Sequence, residues 1–295
     1  MTTLDDIRHA AFELRRTDPQ EAVKVLRRAV GEGGEAEVLA RGALGEIYLE
    51  EFGDLDAAES EFRKVLKAAP GLAAAEIGLA RTRREAGNFG DADAGFVRAI
   101  EGLSKDIRGF VDAKELPPGA EEVALTLLEV AVELAELRAA NAHDKHATVP
   151  LDEHWLSWAA EERLFDAEEG QDDWIRFHSL WTRLRLLTSR AEEALTAVRE
   201  AERGGELPPA EAAQLLSMAL EDLGDLPRAG AEARRRLEAL EKPWPVGDVV
   251  RTAHLLGTKE LLEEAANQWP TDSDEAEMLR GAAGISPVVQ LGKKS

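Results

Sequence analysis

The sequence predicts an all-α protein: a solenoid of helical hairpins in its first third, followed by an atypical helical C-terminal half. Three observations predict it. The composition favours helix, since 49 of the 295 residues are alanine and aromatics make up only 5%, and Ala, Leu, Glu and Arg lose little on entering a helix. A set of apolar residues recurs at a fixed offset of 34: Gly53, Ala58, Phe62 and Val65 are matched by Gly87, Ala92, Phe96 and Ala99. A period of that length marks an array of helical hairpins. No segment alternates apolar and polar residues convincingly with period two, so essentially no sheet is expected.

Taken in order, Ile7, Ala10, Ala11 and Leu14 fill a first helix, and Ala22, Leu26 and Ala29 a second, joined at Thr17-Asp18-Pro19. Residues 38–70 form the next hairpin and residues 73–104 the one after it. Leu44-Gly45 pairs with Leu79-Ala80 at an offset of 35, so the earlier block holds one extra residue before Gly53. Small residues such as Gly45 and Ala58 let the two helices of a hairpin approach, and Tyr48 and Phe62 fill the gap to the neighbouring hairpin. One such hairpin cannot bury its apolar face alone, so the units must stack. The repeats are expected over 3–106, with a break over 107–119 marked by Gly109 and Pro117-Pro118-Gly119.

Helical patterning resumes over residues 120–140 at Val123, Leu127, Leu128, Val130, Leu134 and Leu137. Further helices are expected over 153–168, 173–187 and 191–203. A degenerate hairpin follows near 210–242, where Gly224-Asp225-Leu226 and Ala229 repeat the five-residue interval from Gly53 to Ala58. Pro243-Trp244-Pro245 ends it. Residues 120–245 thus read as atypical hairpins with an aromatic cluster. Residues 246–295 read as terminal helices near 247–256, 258–268 and 273–282, with an extended tail from Ile285.

Residues 38–70 resemble the tetratricopeptide repeat, whose pattern is Trp-x2-Leu-Gly-x2-Tyr, then Ala-x3-Phe, then Pro. They match at Leu44, Gly45, Tyr48, Ala58, Phe62 and Pro70, and depart at Arg41, where the family has Trp. Residues 73–104 keep Leu79, Ala92 and Phe96, with Arg83 for Tyr and Ser104 for Pro. The resemblance implies that the first helix of each hairpin lines a concave groove holding extended peptides or partner helices. The corresponding positions are Leu39, Gly42, Ala43, Glu46, Leu49 and Glu50 in one unit, and Ala74, Ile77, Gly78, Arg81, Arg84 and Glu85 in the next. The Lys and Asn with which some members grip a partner's terminal carboxylate are absent, because Gly42, Glu46, Ile77 and Arg81 stand at those positions.

Net charge and residue types narrow the functions. A formal charge of −22 argues against binding a phosphate backbone or an anionic membrane, both of which need clustered Lys and Arg. Arg234-Arg235-Arg236 points around a helix rather than along one face. The absence of cysteine removes disulfides, thiolate metal sites and Cys nucleophiles. Met1 to Phe12 carries Asp5 and Asp6 without an apolar core, and no long apolar span follows, so a cytoplasmic location without membrane insertion is expected. Gly31-Glu32-Gly33-Gly34 lacks the lysine of a phosphate-binding loop, and no Gly-x-Ser-x-Gly element is present.

Two constellations remain. Trp155 and Trp158, and Trp174, Phe177 and Trp181, fall on single helical faces. They read either as an aromatic pocket or as stripes buried against one another. His143, His146 and His154, beside Asp144 and Asp152, could chelate a metal, or could be incidental residues of a polar loop. No reaction-competent constellation emerges, and no cofactor is expected.

The leading expectation is therefore a non-catalytic interaction protein, an adaptor, scaffold or chaperone-like binder. Its groove is lined by Leu39, Ala43, Glu46, Glu50, Ile77, Arg81 and Arg84, and holds a protein or peptide partner. The alternatives are a small-molecule or metal-binding helical domain in residues 120–245, and a self-assembling structural subunit. The charges of Glu46, Glu50, Arg81 and Arg84 read either as a network pairing with itself or as arginines available to a partner's carboxylates.

Overall fold

The computed structural model describes residues 3–111, 119–141, 148–151 and 171–284. The described residues are helical, with no strand among them, and the helices pack as successive antiparallel hairpins. The chain divides into two compact units, Met1–Leu164 and Phe165–Ser295.

In the first unit, α1 is a continuous helix of three stretches: Leu4–His9, a π-helical turn Ala10–Leu14, and Arg15–Thr17. It is followed by α2 (Pro19–Val30), α3 (Gly34–Glu50), α4 (Leu55–Ala68), α5 (Ala73–Glu85), α6 (Phe89–Val111) and α7 (Ala120–Asn141). Side-chain caps fix several starts. Thr3 and Asp6 form a capping box, and Asp18 and Asp54 accept from the backbone N–H groups of Glu21 and Ala57. Such caps each contribute about 1 kcal/mol.

The repeated turns are built alike. Gly53 and Gly87 both adopt a left-handed backbone, with φ of 62° and 77°, a conformation that glycine reaches without a Cβ penalty. The extra residue of the 38–70 block is absorbed here: the Asp54 N–H reaches back six residues to Tyr48 O, whereas the Asn88 N–H reaches back five to Arg83 O, both at 2.8 Å.

Phe62 joins two hairpins. It is 1% exposed and lies against two glycines, Gly45 of α3 and Gly78 of α5. A Cβ on Gly45 would stand 2.7 Å from its ring, and one on Gly78 closer still. Arg41, where the resembled repeat pattern has Trp, binds Glu37 on its own helix and reaches Glu61 on α4 at 2.8 Å. The hairpin is thus tied there by ions rather than by an indole.

Two boundaries differ from the sequence reading. α6 runs on to Val111, past the expected end of the repeats at 106, because Leu103 and Ile107 continue its buried stripe. α7, grouped in the sequence with 120–245, packs on α6 within the first unit. Arg138 of α7 clasps Asp93 of α6, with Nη2 2.8 Å from Oδ1.

The second unit comprises α8 (Gln171–Leu187), α9 (Ala191–Gly204), α10 (Pro209–Asp222), α11 (Leu226–Ala239), α12 (Val246–Leu256), α13 (Glu260–Ala266) and α14 (Asp274–Ala283). The α10–α11 turn repeats the earlier design: Gly224 has φ of 77°, Asp225 caps α11 through the Arg228 N–H, and Ala229 is fully buried beneath it. One core joins Leu195 and Val198 of α9 to Leu215, Leu216 and Ala229. A second surrounds Trp244 with Leu237, Val249, Leu261, Leu262 and Leu279. The expected helix over 153–168 and the segment from Ile285 lie outside the described residues.

Candidate functional site

In the first unit, α1, α3 and α5 are the first helices of successive hairpins, and α3 touches both of the others. The face they share carries a ladder of ion pairs. Arg15 donates from Nη1 to Glu46 at 3.2 Å, from Nε to Glu51 at 2.9 Å, and from Nη2 to Glu50. It follows the π-helical turn directly. Leu39 is 43% exposed and Ala43 half-buried.

The charges pair differently from the sequence expectation. Arg81 and Arg84 do not pair with Glu46 and Glu50. Both turn to Glu133 on α7: Arg81 Nε lies 2.9 and 3.2 Å from its two oxygens, and Arg84 Nη1 lies 2.8 Å from Oε2. Partial burial works against the Arg81 charge, but hydrogen bonds to Glu133 and its charge outweigh that and hold the guanidinium above its usual value. Ile77 is only 6% exposed, because α5 lies between α4 and α6 and is buried on most of its circumference.

This arrangement carries an expectation for stability. Arg81→Glu with Arg84→Glu would set carboxylates against Glu133, Glu129 and Glu50, so the first unit should lose about 2 kcal/mol. Adding Glu133→Arg should restore most of it. A double variant that melts like the parent protein would refute the pairing.

In the second unit, Trp174, Phe177 and Trp181 form one buried stripe on α8, with ring centroids 5.8 and 5.5 Å apart in edge contacts. Trp155 and Trp158 lie outside the described residues, as do His143, His146 and His154. Among the described residues no group of three or more His, Asp or Glu could hold a metal ion.

The stripe contains a residue that the aromatic pattern passed over. His178 stacks on Trp174 at 5.5 Å and is buried, with Nε2 3.2 Å from Glu206 Oε2. Burial, and then the positive charge of Arg185, push the ring's pKa down to about 4. Arg185 lies 3.9 Å over the Trp181 ring. Its own pKa is lowered by burial, with Glu193 and Glu200 offsetting part of the effect. The signal was present in the sequence: 174, 178, 181 and 185 share one helical face.

A cleft of about 580 Å³ opens among the first helices of the second unit. Gln214, Met218, Glu221 and Asp222 form one stripe along α10. Leu186 of α8 flanks it on one side, and Asp248 and Arg251 of α12 on the other. Arg251 reaches across to Glu221 at 2.7 Å, and Arg236 holds Asp248 at 3.1 Å.

Stacked helical hairpins define a helical-hairpin repeat protein. Neither the known protein-family models nor the curated proteins match the chain. Among solved structures it is similar to the assembly chaperone of RpL4 (Acl4, residues 1–338), with a TM-score of 0.47, 20% identity and 95% of each chain covered. It is also similar to the Chs5–Bch1 exomer cargo adaptor complex, with a TM-score of 0.27 and 15% identity, covering 95% of this chain and 56% of that one. No helix of the described residues is long and apolar enough to cross a membrane.

Proposed function

We propose that the chain is a non-catalytic protein-interaction module, an adaptor, scaffold or chaperone-like binder. On this reading residues 3–106 are tetratricopeptide-like repeats, residues 210–242 are a degenerate copy, and a partner segment lies along the faces formed by the first helices. The observation that carries it is the α1–α3 face. Arg15 of α1 ties together Glu46 and Glu50 of α3 and Glu51 at its C-cap, so the surface on the side of exposed Leu39 is already set before a partner arrives. A face held in place loses less freedom on binding. Glu46 and Glu50, exposed on one side of their ion pairs, leave that surface polar at its margin and open at Leu39 and Ala43.

The test is site-specific photo-crosslinking of the full chain in lysate of its source. A crosslinker at Leu39 or Ala43 should trap the same partner protein. One at Arg63 or Lys64, exposed on the second helix α4, should trap none. Equal trapping from both helices would remove the face as the site, and trapping of a second copy of the chain would replace an outside partner with self-assembly.

A further inference from the structure

The cleft in the second unit differs in chemistry from the α1–α3 face. Its lining includes two half-buried apolar side chains, Leu186 and Met218, beside half-buried Gln214. Methionine packs against varied apolar shapes because its chain is unbranched and polarizable. The same lining carries Glu221, Asp222 and Asp248, with Arg251 among them. Two of the three carboxylates are already engaged, Glu221 by Arg251 and Asp248 by Arg236. Asp222 is exposed and makes no ion pair among the described residues. It is also the last residue of α10, where the helix dipole adds to the negative potential.

We propose that this cleft takes a partner segment in which an apolar side chain is flanked by lysine or arginine. The apolar side chain packs on Met218 and Leu186, and a basic group pairs with Asp222. The inference rests on the reading of the chain as a protein-binding module and adds the chemistry of what one face selects. Charge complementarity argues for this occupant. An acidic segment would meet uncompensated repulsion at Asp222, and a wholly basic one would leave Leu186 and Met218 uncovered.

The experiment uses the full chain and fluorescein-labelled synthetic peptides, read by anisotropy. The first is a Lys/Ala helix-former with two leucines one turn apart. The second replaces both leucines with serine at unchanged charge, and the third replaces its lysines with glutamate. The leucine peptide should bind, the serine peptide at least about fivefold more weakly, and the glutamate peptide not at all; binding should weaken as salt rises. Asp222→Lys should reduce leucine-peptide affinity by about tenfold. The surface position accepts lysine, since a cation suits a helix C-terminus. Glu101→Lys makes the same charge change at an exposed site on α6 and should alter affinity less than about twofold. Met218→Ala should weaken the leucine peptide while leaving the serine peptide unchanged.

Equal weakening by Asp222→Lys and Glu101→Lys would overturn the proposal, because the attraction would then belong to the acidic surface at large. Equal binding of leucine and serine peptides, or no binding of either, would overturn it too. The broader reading fails separately, through the crosslinking pattern at Leu39 and Ala43.

Discussion

Gly78→Ala should destabilise the first unit by about 1–3 kcal/mol, although alanine is the better helix former. The added methyl has nowhere to go. Its carbon would fall inside contact distance of Phe62, whose ring already fills the space between Gly78 and Gly45. Overpacking of this kind forces the ring off its rotamer or separates two hairpins. Gly42→Ala gives the matched control. Gly42 also lies within a helix, but nothing stands within 4 Å of its missing Cβ, so the change should stabilise by about 0.5–1 kcal/mol. Shortening the ring should relieve the clash: Phe62→Leu with Gly78→Ala should cost less than the two single changes summed. Phe62→Ala alone leaves a cavity between hairpins and should cost about 3–5 kcal/mol. Urea unfolding followed by circular dichroism measures all five. Gly78→Ala and Gly42→Ala shifting the midpoint in the same direction would sink the assignment of Phe62 as the joint.

The second large effect is on acid stability. His178 is buried as a neutral ring with a pKa of about 4, whereas in the unfolded chain it titrates near 6.5. Above pH 6.5 both states hold a neutral imidazole and nothing is lost. As pH falls below 6.5 the unfolded state takes up a proton that the folded state refuses, and stability drops until the folded ring also titrates near 4. Across that window the loss is on the order of 3 kcal/mol. His178→Phe keeps an aromatic ring against Trp174 and removes the titration. The variant should therefore lose less stability than the parent between pH 6.5 and 4, with the two curves parallel above 7. Superimposable pH–stability curves would show that His178 does not titrate as its burial requires.

The residues that space the hairpins were legible in the sequence because they act locally. Gly53, Gly87 and Gly224 are demanded by turn geometry, and Ala58, Ala92 and Ala229 by close approach five residues later. Each constraint lies within one hairpin, so it survives as a fixed interval. The extra residue before Gly53 was legible for the same reason. Partners of the surface charges were not. Arg81 could reach Glu50 or Glu133, and only the placement of α7 beside α5 selects the latter, across 52 residues of chain. The π-helical turn in α1 left no mark, because Ile7, Ala10 and Leu14 satisfy an ordinary helical period as well. His178 was readable as a member of a buried face but not as a buried base, since its burial depends on the helices that pack on α8. The acidic cleft combines three helices whose sequence spacings do not constrain one another.

The packed helix pairs of each unit are close neighbours in the chain, and this has a kinetic consequence. Contact order is low, so forming each native interface closes only a short loop and costs little chain entropy. Folding can then nucleate at whichever hairpin first seats its own ring or alanine, and spread outward by adding neighbours. The same route runs backwards under native conditions. The hairpin at the end of a stack, supported on one side, should open more often than one held on both, and amide hydrogen exchange should grade inward from α1 toward Phe62.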